Sequence, residues 1–223
     1  MKGRIGTVPN KEAEVSGNGR KPMRFIGITG GVGAGKSEIL RYIQKHYLCR
    51  IYLADEVAHE VKKPGTVCYR ELVALLGEDV LEENGEIHKG KMADKIFRDQ
   101  SLLEQINAIV HPAVKQYLLE KLEQAGREKD VELFFVEAAL LIECGYGALV
   151  DEMWYIYASE PVRRKRLSEN RGYSEEKISQ IMQAQLSEEA FRKGSDFVID
   201  NSGELEETYT QINHRLEAFT WRG

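Results

Sequence analysis

The 223-residue chain has only three cysteines, Cys49, Cys68 and Cys144, far apart and without a C-x-x-C pair. An odd, scattered set builds no disulfide framework. It fits a reducing cytoplasm, with each thiol a small apolar filler. The five histidines and three cysteines never gather at ligand spacing, so there is no zinc constellation. No run approaches the roughly 20 apolar residues of a membrane span. The net charge of −5 lacks the basic excess of a general nucleic-acid binder. Internal repeats and low-complexity tracts are missing too. Residues 1–22 are polar and Gly-rich, with no apolar h-region, which excludes a secretory signal and leads us to expect a disordered extension. What remains is long enough for one α/β domain with a small insertion.

Against these absences stands one dense stretch, "FIGITGGVGAGKSEILRYIQ", Phe25 to Gln44. Gly30, Gly35, Lys36 and Ser37 fit G-x-x-x-x-G-K-[ST]. Glycines let successive N–H groups curl around an anion, and the following helix adds its N-terminal dipole. Lys36 is placed to reach the β- and γ-phosphates of a nucleotide, and the Ser37 hydroxyl to ligate Mg²⁺. The context agrees: Phe25, Ile26 and Ile28 read as a buried strand, and Ile39, Leu40 and Ile43 as one helical face. A Gly-rich turn before an ordinary helix is the plainer alternative, and the context disfavours it.

Further strands are expected at Arg50–Leu53, within "VELFFVEAALLIE", at "EMWYIYAS" and at "DFVID". The dense apolar third run reads as a central parallel strand. From Ala58 to about Gly126 the pattern is helical, with Gly77 as a C-cap, a turn-rich hairpin at Asn84-Gly85, and a long periodic stretch from Met92 to Leu118 that steps at His111-Pro112. Pro161 suits a first helical turn. The helices after it break at Gly172 and near Leu186, and a terminal helix runs from Glu204 to about Phe219. Strands alternating with helices imply a five-stranded parallel sheet flanked on both sides.

Ligands of such sheets sit at the strands' carboxyl ends. Those ends carry the phosphate loop, Asp55, Glu137, Glu143, Ser159 and Asp200-Asn201. If the phosphoryl acceptor is an alcohol, a carboxylate must reach its hydroxyl, and Asp55 is the candidate. Its plainer role is a helix N-cap, compatible with the first. Arg163, Arg164, Lys165, Arg166 and Arg171 form a basic cluster. Arginines from a closing lid neutralise the equatorial oxygens in phosphoryl transfer, although most charge runs are solvated helix faces. Arg164 and Arg171 share a face only if one helix continues unbroken to Gly172. His59 reads as a phosphate contact or a helix cap. The spacing at His111-Pro112 favours a kink over an acceptor pocket. A guanine-reading Asn-Lys-x-Asp motif is missing, and the D-x-x-G at Asp200–Gly203 comes too late to sense a γ-phosphate.

Taken in order, "GITGGVGAGKS", "ADEVAHEV", "IVHPAV", "ALLIE" and "QAQLSEEAFRKGSDFVIDNSG" resemble the dephospho-coenzyme A kinase family, from about Met23 to the terminal helix. The resemblance implies an α/β fold, a P-loop NTPase three-layer sandwich over residues 23–223, with a helical acceptor-binding insertion at 58–126 and a lid at 160–194. It implies ATP with Mg²⁺, and phosphorylation of the ribose 3′-hydroxyl of dephospho-coenzyme A. Another small-molecule or nucleoside monophosphate kinase is the alternative that the residues alone leave open; a nucleotide-dependent switch is a more distant one. By the match, Gly31, Gly33, Ala34, Gly35, Lys36, Ser37 and Glu38 belong to the ATP loop, with Ser37 at the metal. Asp55 is the acceptor base, His59 and His111 line the acceptor side, and Arg166 faces the phosphates. Asn201 falls where the last loop approaches adenine. The resemblance also implies a cytoplasmic monomer with no nucleic-acid or membrane partner. Departures are Leu53 in place of the family's frequent Asp, His59 in place of Arg, Glu38 in place of Thr, and Ala139 in place of the Pro of a Val-Pro-Leu-Leu run.

Overall fold

The apolar run before the phosphate loop does form a strand. In the computed structural model, which describes residues 23–219, that strand is β1 (Arg24–Thr29), buried from Phe25 onward. The remaining strands are β2 (Cys49–Leu53), β3 (Leu133–Glu137), β4 (Glu152–Tyr157) and β5 (Phe197–Asp200). The helices in chain order are α1 (Lys36–His46), α2 (Ala54–Glu60), α3 (Val67–Leu76), α4 (Lys89–Arg98), α5 (Ser101–Arg127), α6 (Glu160–Arg171), α7 (Glu175–Gln183), α8 (Glu188–Lys193) and α9 (Leu205–Glu217). The expected extension at 1–22 lies outside the described residues. Contacts divide the chain into two compact units. One holds the described residues up to Ile51 and those from Gly126 onward, and the other Tyr52–Ala125.

In the first unit the five-stranded sheet runs β2-β3-β1-β4-β5, with β1 parallel to both β3 and β4, and β4 parallel to β5. β1 is therefore central, and the loop that follows it leaves from the middle of the sheet. Leu133, Phe134, Phe135 and Val136 of β3 are all fully buried, as an all-apolar strand covered on both faces must be. Phe135 and Phe197 meet the Trp154 ring edge-on at centroid distances of 6.0 and 5.5 Å. The residues from 160 to 194 form three helices, α6 to α8, divided where expected. Gly172 closes α6 at a left-handed φ of 61°, and Ser187 caps α8 by accepting from the Ala190 N–H.

In the second unit, Gly77 ends α3 at φ 84°, and Leu81 and Ile87 form one antiparallel bridge across the Asn84-Gly85 turn. The stretch from Met92 to Leu118 is two helices rather than one. Asp99 closes α4, and its carboxylate accepts from the Ser101 N–H and hydroxyl to start α5. The step expected at His111-Pro112 is not a break. α5 continues through Pro112, because the apolar stripe Ile106, Val110, Val114 and Leu118 stays buried along one face. One missing N–H on the exposed face is outweighed by that stripe.

Candidate active site

The phosphate loop fills the turn between β1 and α1. Gly35 stands at the N-cap of α1 with φ 92°, a left-handed conformation that an L side chain adopts only under strain. Lys36, the first residue of α1, folds back over the loop. Its Nζ donates to the Gly30 carbonyl at 2.7 Å and lies 3.5 Å from Glu137 Oε1 at the end of β3. Burial pushes the Lys36 pKa down. Glu137 works against this, while the charges of Arg163 and Arg171 add to it. This is a cation held in a dry, positive setting, one that a phosphate would stabilise.

α6 meets the loop through two arginines. Arg163 donates from Nε to the Val32 carbonyl at 2.9 Å and from Nη2 to Gln185 Oε1 at 2.6 Å. The same Gln185 oxygen accepts from the Val32 N–H at 3.3 Å. A Cβ on Gly31 would lie 2.4 Å from Arg163 Nη2, so a larger residue there would have to displace the guanidinium from its place over the loop. Arg166 donates to the carbonyls of Asn201 at 2.9 Å and Ala34 at 3.4 Å. Asn201 is 1% exposed. Its amide donates to the Ala34 carbonyl at 2.7 Å, and its Oδ1 accepts from Thr208 Oγ1 at 3.1 Å. Arg164 faces elsewhere and pairs with Glu160 and Glu175, the solvated-face role. It shares the unbroken α6 with Arg171, since Gly172 ends the helix only after Arg171. Glu38 turns its carboxylate to Arg41 and to the Tyr209 hydroxyl on α9, leaving only its backbone in the loop.

In the second unit, Asp55 is exposed in the first turn of α2. It is not the N-cap: Leu53 holds that position, and no side chain caps the helix. An Asp at this position would be able to cap; leucine cannot. His59 is exposed in the last turn of α2 and His111 is exposed on α5. Ala139 offers its carbonyl to Thr29 Oγ1 at 3.3 Å, in the turn after β3.

Two residues at this site escaped the sequence reading. Glu137 stands among the strand-end residues, and that position is the signal the sequence offers for it, though nothing in the sequence assigns it to Lys36. Gln185 lies inside a stretch that carries the family resemblance, but neither spacing nor period ties it to Val32 or Arg163. Mg²⁺ fits the donor set. Among the described residues no three His, Cys, Asp or Glu side chains converge as a cage. A nucleotide-borne Mg²⁺ takes most of its oxygens from phosphates and water, and the exposed Ser37 hydroxyl at the head of α1 could add a protein ligand to it.

Comparison with known families matches residues 24–207 to the family described as dephospho-CoA kinase. The chain belongs to the dephospho-CoA kinase family. The curated dephospho-CoA kinase of Carboxydothermus hydrogenoformans is 32% identical over 200 residues, covering 90% of this chain and 96% of that one. That of Moorella thermoacetica is 36% identical over 190 residues, covering 85% and 89%. Among solved structures, a Thermus thermophilus protein superposes with a TM-score of 0.73 at 27% identity, covering 90% of this chain and all of that one. The family match spans both units, and Lys36, Ser37 and Asp55 all fall inside it.

Proposed function

We propose that this kinase transfers the γ-phosphoryl group of ATP to the ribose 3′-hydroxyl of dephospho-coenzyme A, the last step of coenzyme A synthesis. The observation that carries the reading is the family match over residues 24–207, which takes in the phosphate loop with Lys36 and Ser37 and also Asp55. In the reaction the acceptor oxygen forms a bond to the γ-phosphorus, the bond from that phosphorus to the β,γ-bridging oxygen breaks, and ADP leaves. Asp55 takes the proton of the attacking hydroxyl. Lys36 neutralises charge on the β- and γ-oxygens, and a phosphate replacing Glu137 as its neighbour keeps it protonated. Gly31, Gly33, Ala34 and Gly35 offer the loop's backbone to the phosphates. Arg163 and Arg166, already against the loop, are the arginines placed to meet charge there, with Arg163 the addition to the sequence reading. Asn201 contributes by holding Ala34. His59 and His111 belong to the acceptor side. Ser37 would help hold Mg²⁺, which on arriving with ATP would supply positive charge to the phosphates.

Residues 160–194 act as the lid and residues 58–126 as the acceptor-binding insertion. The enzyme works as a cytoplasmic monomer. Three free thiols support a reducing setting, and no described helix is long and apolar enough to cross a membrane.

The test is ADP release with ATP and Mg²⁺, comparing dephospho-coenzyme A with adenosine, shikimate and nucleoside monophosphates. Turnover is expected with dephospho-coenzyme A, and preference for another acceptor would overturn the assignment while leaving the chemistry. Asp55→Asn should lower kcat by roughly 10²–10⁴, the range for a positioned base, with ATP binding kept. Lost ATP affinity at unchanged kcat would make Asp55 a metal-linked or structural residue instead.

A further inference from the structure

The second unit contains a group of cations for which its own carboxylates do not account. Lys62, in the turn after α2, and Lys89, the first residue of α4, line one small recess together with His59, Lys63, Glu86 and Met92. Lys63 is matched, pairing with Glu60 at 2.6 Å. Lys62 and Lys89 have no carboxylate within ion-pair distance among the described residues. Burial is the main cause that pushes the Lys62 pKa down. The charge of Lys89 adds to it, and Asp55 and the Cys68 thiol act against it. Two ammonium groups over one recess, one of them half-buried, cost stability unless something negative joins them.

We propose that Lys62 and Lys89 bind the diphosphate of the acceptor, a subsite resting on the functional reading above. Three observations converge on that chemistry. The recess holds about 30 Å³, roughly twice what one water needs, which gives room for a phosphate oxygen or two while the rest of a diphosphate lies over its open rim. Two separate point-charge donors suit two linked phosphoryl groups. Finally, Asp55 lies close enough to Lys62 for their charges to interact within this unit. In dephospho-coenzyme A the 3′-hydroxyl and the 5′-diphosphate hang from the same ribose, so a base for the first and cations for the second must be near neighbours. The diphosphate is also the only anionic part of that molecule. Glu86 lines the same recess, where its charge acts on Lys63.

The experiment is steady-state kinetics on the full chain, with calorimetric binding of dephospho-coenzyme A as the second readout. The variants are Lys89→Ala, Lys62→Gln and the rescue Lys89→Arg. Lys89 is exposed, so its replacement leaves the fold intact even if the Lys62 variant fails. Each loss of charge should raise KM for dephospho-coenzyme A roughly 10-fold, the low end for a charged hydrogen bond. The KM for ATP and kcat should stay within about twofold, and Lys89→Arg should restore most of the loss. The salt dependence of the acceptor KM should flatten in the variants, because a screened charge pair has gone. An active wild type whose variants keep the same acceptor KM and salt slope would overturn the subsite alone. A change confined to the ATP KM would do the same. A wild type silent on dephospho-coenzyme A would overturn the functional reading, and the subsite with it.

Discussion

Asn201→Ala separates two roles for one residue. The resemblance to kinases puts Asn201 near adenine, whereas the structure shows its amide spent on the loop. The side chain is 1% exposed, donates to the Ala34 carbonyl at 2.7 Å and accepts from Thr208 at 3.1 Å. Truncation leaves Thr208 its longer bond to the Asp200 carbonyl at 3.2 Å. The Ala34 carbonyl keeps only the 3.4 Å contact from Arg166, a weak substitute. Stranding a buried acceptor costs about 1–3 kcal/mol. With the small void added, we expect a loss of about 2–3 kcal/mol, or roughly 5–10 °C in Tm for a domain of this size. Asn201→Asp should be worse, since it sets a carboxylate against a carbonyl oxygen. The assay is thermal unfolding of the three proteins with and without ATP, beside their KM for ATP. A tie that shapes the loop predicts a lower Tm in both conditions and a raised KM together. If Tm stays within about 1 °C of wild type while the ATP KM rises, the buried tie is energetically idle and the adenine role stands alone.

Three further outcomes follow from the same loop. The lowered pKa of Lys36 means that the free enzyme loses this proton below the usual lysine range, while bound phosphate favours the charged form. ATP binding in that alkaline window should therefore take up a proton, and KM for ATP should rise with pH there; calorimetry in two buffers of different ionisation enthalpy reads this. For stability the sign is the opposite of a salt-bridged lysine. The unfolded chain holds the proton longer, so Lys36 adds stability as pH rises from its depressed pKa towards 10.5. Gln185→Glu keeps an acceptor for both Val32 N–H and Arg163, so Tm should hold. Its new negative charge beside the loop should raise KM for ATP about 10-fold; an unchanged KM would show that phosphate does not come near this position.

How legible each part was follows from how local its cause is. The phosphate loop and its flanking elements could be read because the glycine positions, the strand and the apolar face of α1 lie within one short window. The continuity of α5 through Pro112 could not, because the local rule for proline is overruled by the buried stripe of Val110, Val114 and Leu118. Leu53 at the head of α2 shows the reverse: a departure seen in the sequence, whose consequence, an uncapped helix start, needed the backbone.

The arginines show where the line falls. Arg163 and Arg166 are three apart and share a face of α6, while Arg164 is turned about 100° away. Leu167, the one buried residue of that helix, marks which face packs inward, and its side chain lies beside Gly33. Read with that marker, the spacing would have selected Arg163, one turn before Leu167, but not Arg166, which lies about 100° from Leu167 and farther round than Arg164 at about 60°. Gln185 would still have been missed, because its contacts depend on how α6 and the turn after α7 come back to the loop. The glycines give the loop permission to curl. The curl itself is chosen by groups on four separate segments: Glu137 on Lys36, Gln185 on Val32, Arg163 over Gly31, and Asn201 on Ala34. A motif of eight residues therefore states what the site can bind, and residues more than a hundred positions away decide the shape in which it binds.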